Sequence, residues 1–383
     1  MNSSTTSNRA ARAYATGTAR EAVDAVSSEL RDGLAGQDAA VVLFFASSAY
    51  EPGDLAGPLT ARFPEAVVLG CSTAGEFTNV FSGIGGISAV ALPTSVISRR
   101  AAALADLTAD IAAGTAEAVR AIEAELGTEL RTLDPARNLG LVLIDGMHGA
   151  EEEVNIALGN AAPVLDIVGG SAGDDLMFKN TWVSVGDRVS FHGAALVVCE
   201  TTGPFTVLKT CTFTPTGAVL QVTKADTTER VVHEFDGRPA VEAYAEAIGR
   251  DPADLDSSAF MEHPVGLMID DAPFIRSPQQ LTGTGGIKFY AQILEGMEVD
   301  VMQSGEIVAE TSAAFAAAVR RIGGVASGAV LFNCILRRLE LDAKGETDAF
   351  VNVLKDVPLA GFHTYGETWL GHMNQTLTGV VFS

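Results

Sequence analysis

The chain has 383 residues, enough for two or three domains of about 150 residues each, and its 47% hydrophobic against 19% charged content marks a packed globular chain rather than a disordered one. Its 25 Lys and Arg against 48 Asp and Glu leave a net charge of −23, a surface that repels phosphate backbones and anionic headgroups and argues against nucleic-acid and membrane partners. The longest strongly apolar run, Ala39 to Ala46, is far short of the roughly 20 residues a membrane helix needs. Residues 1 to 17 show no apolar h-region, so a cytoplasmic location is expected. The four cysteines, Cys71, Cys199, Cys211 and Cys334, never form a C-x-x-C pair and are expected as reduced thiols.

Thr18-Ala19-Arg20-Glu21 is a T-x-x-E capping box, and Val23, Val26, Leu30 and Leu34 recur after it at helical spacing. Residues 1–36 therefore read as a loose arm followed by an amphipathic helix. Ala40 to Ala46 is an unbroken apolar run of strand length, expected to be covered on both faces. Leu55 to Phe63 reads as a helix stopped by Pro64, Ala66 to Leu69 as a second buried strand, and the small-residue turn Gly70-Cys71-Ser72-Thr73-Ala74-Gly75-Glu76 follows at once. After Gly83-Ile84-Gly85-Gly86 a strand from Ile87 to Leu92 closes the unit.

The same order returns twice. Gly140 to Asp145, a helix from Glu151 to Ala161, Pro163, and Val164 to Val168 lead to the turn Gly169-Gly170-Ser171-Ala172-Gly173-Asp174-Asp175, with Ala194 to Val198 returning after a longer insertion that holds Trp182. At the C-terminus Ala329 to Phe332, a helix from Glu346 to Lys355, Pro358, and Leu359 to Phe362 lead to His363-Thr364-Tyr365-Gly366-Glu367, with Leu377 to Phe382 returning. A helix of about three turns between two apolar strands is the spacing of a βαβ crossover. The expected fold class is α/β: repeated strand-helix-strand-turn-strand units forming mixed, largely parallel sheets. Helical patterns at Ile111, Val119, Ile122, Leu126 and at Phe315, Val319, Ile322 precede the second and third copies, each after a strand-like stretch, Val96 to Leu104 and Met297 to Met302. That correspondence suggests two related halves.

Ligands of parallel α/β sheets bind beyond the carboxyl ends of strands, where all three turns are expected. Cys71, Ser72, Thr73, Ser171 and Thr364 offer short donors there, while Glu76, Asp174, Asp175 and Glu367 supply carboxylates, a combination suited to a small polar or zwitterionic ligand. On so acidic a surface a ligand carboxylate needs a cation, and Arg337, beside Arg338, is the expected one, able to form a bidentate pair.

Gly169-Gly170-Ser171-Ala172-Gly173 also satisfies the G-x-S-x-G nucleophile elbow, with Asp270 or Asp271 and His372 as partners for Ser171 in a serine hydrolase. Against it, Trp182 to Asp187 alternates and turns like a hairpin where the elbow requires a helix. Neither Gly83 to Gly86 nor Gly283 to Gly286 meets a dinucleotide or P-loop pattern. The histidines, His148, His192, His233, His263, His363 and His372, show no zinc-site spacing, although a single axial haem ligand would leave no spacing at all.

From about Ala39 to Phe382 the sequence resembles the FIST proteins, built of FIST N and FIST C domains. The resemblance rests on Phe44-Phe45-Ala46-Ser47, on the first two turns as quoted, on Phe332-Asn333-Cys334-Ile335-Leu336-Arg337, on Gly361 to Glu367, and on His372-Met373-Asn374-Gln375-Thr376. It implies a FIST N domain at 37–235, a FIST C domain at 236–383, and an intracellular sensory module that binds a small ligand such as an amino acid and signals to a separate kinase, cyclase or chemotaxis partner, without catalytic turnover. Some members bind haem and sense nitric oxide, which is the alternative, with His363 and His372 the histidines nearest the third turn. The expected ligand-binding set is Cys71, Ser72, Thr73, Glu76, Ser171, Asp174, Asp175, Cys334, Arg337, Tyr365, Glu367, His372 and Asn374.

Overall fold

The computed structural model describes residues 9–270 and 272–383, which form two compact units. The first comprises the described chain up to Thr210 together with Thr311–Gly371 and Leu377–Ser383; the second comprises Cys211–Glu310 and His372–Thr376. They are not two successive halves, because the chain leaves the first unit at residue 210 and re-enters it a hundred residues later.

The first unit holds the three anticipated copies, each on its own sheet. First and second strands pair parallel in every copy: Ala39–Ser47 with Val67–Thr73, Asn138–Ile144 with Asp166–Ser171, and Gly328–Cys334 with Leu359–Thr364. The return strands Ile87–Pro93, Gly193–Thr201 and Thr376–Phe382 lie antiparallel against the first strands. Beyond each return strand lies a leading strand, respectively Ala11–Ala15, Ile97–Asp106 and Phe205–Cys211.

The sheets are thus mixed, a parallel pair in each standing beside antiparallel neighbours, and the expectation of largely parallel sheets is corrected. One crossover helix makes one parallel pair, whereas the return strand runs back along the first strand and the leading strand along the return strand, both antiparallel.

Helices Ala19–Leu34, Ile111–Leu126 and Ile307–Arg321 follow the leading strands in chain order. In the third copy the residues of the second unit come between strand and helix, so the leading strand is Phe205–Cys211 and not Met297 to Met302, which belongs to the second unit. Ala11–Ala15, read from sequence as a loose arm, pairs along Ile87–Pro93 with alternate residues buried. The capping box forms as expected, with Thr18 and Glu21 each bonding the other's backbone amide.

After each small-residue turn the chain crosses to the sheet of another copy. Glu76–Thr78 pairs with the second strand of the third copy, Glu367–Thr368 with that of the second, and Val183–Val185 with that of the first. The three exchanges close a cycle, so no sheet is complete without a strand from another copy.

Inner faces of the three sheets share one core in which Phe45, Phe332 and Phe362 meet with ring centroids 4.8 to 6.3 Å apart. Helices cover the outer faces of the first two sheets, which is why their strands are apolar without alternation. The second unit has its own antiparallel sheet around the long strand Thr214–Asp226, with helices Ala240–Ala247 and Ser257–Glu262 packed on a core containing Tyr244, Phe235 and Phe289.

Candidate functional site

The three crossings bring the turns together. Ser72 of the first accepts from Gly173 of the second at 3.1 Å, Ala74 donates to His363 of the third at 3.0 Å, and His363 donates back to Gly75 at 2.8 Å. Ser171 of the second donates to Gly366 at 2.8 Å and accepts from Tyr365 at 3.1 Å. Two glycines permit this approach: Gly75 has φ +112° with the Gly83 carbonyl 3.0 Å from where a Cβ would stand, and a Cβ on Gly173 would lie 2.7 Å from the Ala74 nitrogen.

Thr73, Ser171 and Thr364 occupy the same register beside the ends of the three first strands, and Glu76, Asp174 and Glu367 follow three residues later. In the first and third turns the threonine hydroxyl donates to that glutamate, and Glu76 also accepts the Gly86 amide at 3.0 Å. The second turn differs: Ser171 donates to Glu151 at 3.0 Å, while Asp174 accepts the amides of Phe178, Lys179 and Asn180 at 2.6 to 3.1 Å and the Tyr365 hydroxyl. All six of these side chains are buried. They hold the crossings from inside.

Burial sets the acid–base character of the junction. Glu76 is pushed up to about 7, first by desolvation and further by the nearby Asp175 charge, against the Thr73 and Gly86 hydrogen bonds and Arg338. The His363 imidazole is held well below its ordinary range by burial and by Arg338 and Arg337. Cys71 is raised by burial and by Glu76, which makes its thiol inert at neutral pH.

At the accessible edge stand Asp175, Arg338 and Tyr365. Arg338 donates to the Ala74 carbonyl of the first turn and to the Asp175 carboxylate of the second, both at 2.8 Å, with side-chain exposures of 17% for Arg338 and 37% for Asp175. Asp175, Leu176 and Phe178 all have φ between 50° and 64°, a left-handed conformation that costs non-glycine residues. The loop is held by the Leu176 amide donating to the Tyr365 hydroxyl at 2.7 Å and by Phe178 stacked on Tyr365 at 5.2 Å.

The other expected site residues are placed differently. Arg337 lies on the helix Ile335–Lys344, 1% exposed, donating to Asn333 at 2.9 Å and Thr311 at 2.8 Å. Its neighbour Arg338 is the cation at the turns. Cys71, Ser72 and Cys334 are buried, and Ser72 Oγ accepts the Trp182 amide at 3.0 Å. His372 and Asn374 are buried in the second unit, where Asn374 Oδ1 accepts from Ser277 at 3.3 Å.

The hydrolase reading does not fit the second turn. Ser171 is buried, its hydroxyl partner is a carboxylate, and the hairpin Val183–Val185 and Arg188–Ser190 is the next regular element. Asp270 lies in a turn of the second unit, and Asp271 falls outside the described residues. A haem axial role does not fit His363, whose Nδ1 and Nε2 contact Asn333 at 3.0 Å and Ser82 at 3.2 Å.

Sequence reasoning also missed an open cleft of about 640 Å³ in the first unit, where Arg9, Arg12 and Lys355 face Glu29, Asp32 and Asp356. Its charges come from segments far apart in the chain, so no local motif announces it.

Among the described residues no helix is long and apolar enough to cross a membrane. The FIST N domain model matches residues 40–238 and the FIST C domain model residues 240–369. The chain is also 27% identical over 277 residues to an uncharacterised protein of Methanocaldococcus jannaschii, a match that takes in 64% of this chain and 54%, about half, of that relative.

Proposed function

Because the chain belongs to the FIST family, whose domains are associated with sensory signal transduction, we propose that it is an intracellular sensor of a small zwitterionic metabolite, an amino acid or a close analogue, at the junction of the three turns. The observation that carries the reading is the position of Arg338, whose guanidinium reaches the first turn through Ala74 and the second through Asp175. A ligand carboxylate takes the Arg338 fork, and the released Asp175 takes the ligand ammonium. Exchange of the Arg338–Asp175 pair for two ligand pairs, with Asp342 still held by Arg338 Nε at 3.2 Å, keeps the charge balanced in a strongly acidic protein. Tyr365 and the strained Asp175–Phe178 loop feel the exchange directly, and strain of this kind is characteristic of ligand clamps. Domain limits at 37–235 and 236–383 belong to the same reading, as does the output, a separate kinase, cyclase or chemotaxis component docked by the reshaped loop.

Calorimetric titration with an amino-acid library against wild type and Arg338→Ala tests it. The best ligand loses about 30- to 100-fold in affinity in the variant, the worth of a charge-assisted hydrogen-bond pair. Unchanged affinity in Arg338→Ala with a loss in Arg12→Ala would move the ligand to the cleft.

A further inference from the structure

At the carboxyl end of the second sheet, Asp145 follows the first strand Asn138–Ile144, His148 follows three residues later, and His192 precedes the return strand Gly193–Thr201. We propose that Asp145, His148 and His192 form a binding site for a divalent first-row transition ion of the zinc class. One ligand atom from each residue lies within 4.8 Å of the other two. A tetrahedral ion with bonds of about 2.0–2.1 Å needs ligand atoms roughly 3.4 Å apart, so closure asks only a small swing of two exposed imidazoles. The rings already meet edge to face with centroids 3.9 Å apart, closer than the roughly 4.5–7 Å usual for aromatic pairs.

The frame beneath is rigid. The Asp145 amide donates to the Gly193 carbonyl at 2.9 Å, and the Leu107 amide donates to the His192 carbonyl at 2.9 Å, so the sheet fixes both backbones. Asp145 is 1% exposed, and one carboxylate oxygen is oriented by the Thr181 hydroxyl and by the Met147 amide at 3.1 Å. Its second oxygen meets His148 Nδ1. Support of this kind for a ligand carboxylate is the usual outer layer of a metal site. Two imidazoles and one carboxylate select borderline ions over Mg²⁺ or Ca²⁺, which prefer all-oxygen sets, and the exposed side leaves coordination positions open to water.

The test is titration of the chelator-stripped full chain with ZnCl₂, with the Co²⁺ visible spectrum as a second probe. One equivalent is expected, together with a Co²⁺ spectrum of low coordination number. Affinity falls at least about tenfold in His192→Ala and in His148→Ala, is unchanged in His233→Ala, and is untouched by excess Mg²⁺. His192 is exposed, and a melting curve matching wild type confirms that the variant folds. Zinc binding as tight as wild type in His192→Ala and in His148→Ala, or only weak multiple equivalents that Mg²⁺ displaces, overturns the proposal.

Discussion

The Tyr365 hydroxyl of the third turn donates to the Asp174 carboxylate of the second and accepts the Leu176 amide in the same step. One phenol thus ties a buried anion, a strained loop and two copies of the repeat. Burial, followed by the Asp174 interaction, raises the Tyr365 pKa, so the proton stays in place throughout the physiological range. Replacement of Tyr365 by Phe removes a donor from a carboxylate that keeps three amides. A loss of about 1–2 kcal/mol is expected in urea unfolding, with faster hydrogen exchange confined to residues 175–180. Unchanged exchange in that loop would contradict its dependence on Tyr365.

Glu76 gives the fold a pH dependence of defined sign. Its pKa is about 7 in the folded chain against an ordinary 4.5, so the folded state holds its proton more tightly than the unfolded state. Its contribution to stability is fully present below about 4.5 and is lost as pH rises toward 7, a change of about 3 kcal/mol. The stability difference between wild type and Glu76→Gln, followed by urea unfolding, declines by that order between pH 4.5 and 7.5 and is flat above. A pH-independent difference would show that Glu76 is ionised throughout.

Gly75→Ala places a Cβ 3.0 Å from the Gly83 carbonyl and from His363 Cδ2 at a φ of +112°. Strain and crowding together cost roughly 2–4 kcal/mol, seen as a lowered urea midpoint. Gly36→Ala, also at positive φ but with open space around the new methyl, costs less, and equal losses would mean that the close approach of the turns is not what Gly75 provides.

Arg337 and Arg338 divide structure from recognition. Arg337→Ala leaves the buried Asn333 and Thr311 groups without the guanidinium and lowers stability by about 3 kcal/mol. Arg338→Ala, at the accessible edge, changes stability by less than about 1 kcal/mol and carries the loss of ligand binding. Paired unfolding and titration curves check the division, and a reversed pattern would return Arg337 to the site.

The three copies are readable in the sequence because doubly covered strands need unbroken apolar runs, such as Ala40 to Ala46, and the crossings need small residues. The exchange of Glu76–Thr78, Val183–Val185 and Glu367–Thr368 between sheets is not readable, since it is a long-range choice of partner made by residues whose local pattern says only that they are strand. Ala11–Ala15 escaped because Ala-Arg-Ala-Tyr-Ala lacks β-branched residues, and Phe205–Cys211 because the second unit separates it from its helix. Arg337 and Arg338 are one helical step apart, about 100° of rotation, so without the helix Ile335–Lys344 being assigned, nothing in the sequence told which of the two faced the turns. Asp145 and His148 are near in sequence, but only the pairing of Asn138–Ile144 with Gly193–Thr201 brings His192 to them.

The central claim is that Arg338 receives a ligand carboxylate, and the most direct measurement compares the best amino-acid ligand with its carboxamide by calorimetry in wild type and Arg338→Ala. The account predicts that wild type binds the acid about 30-fold or more tightly than the amide, and that Arg338→Ala binds the two alike, a coupling of roughly 2 kcal/mol. Equal binding of acid and amide by wild type, or the same preference in the variant, would contradict it.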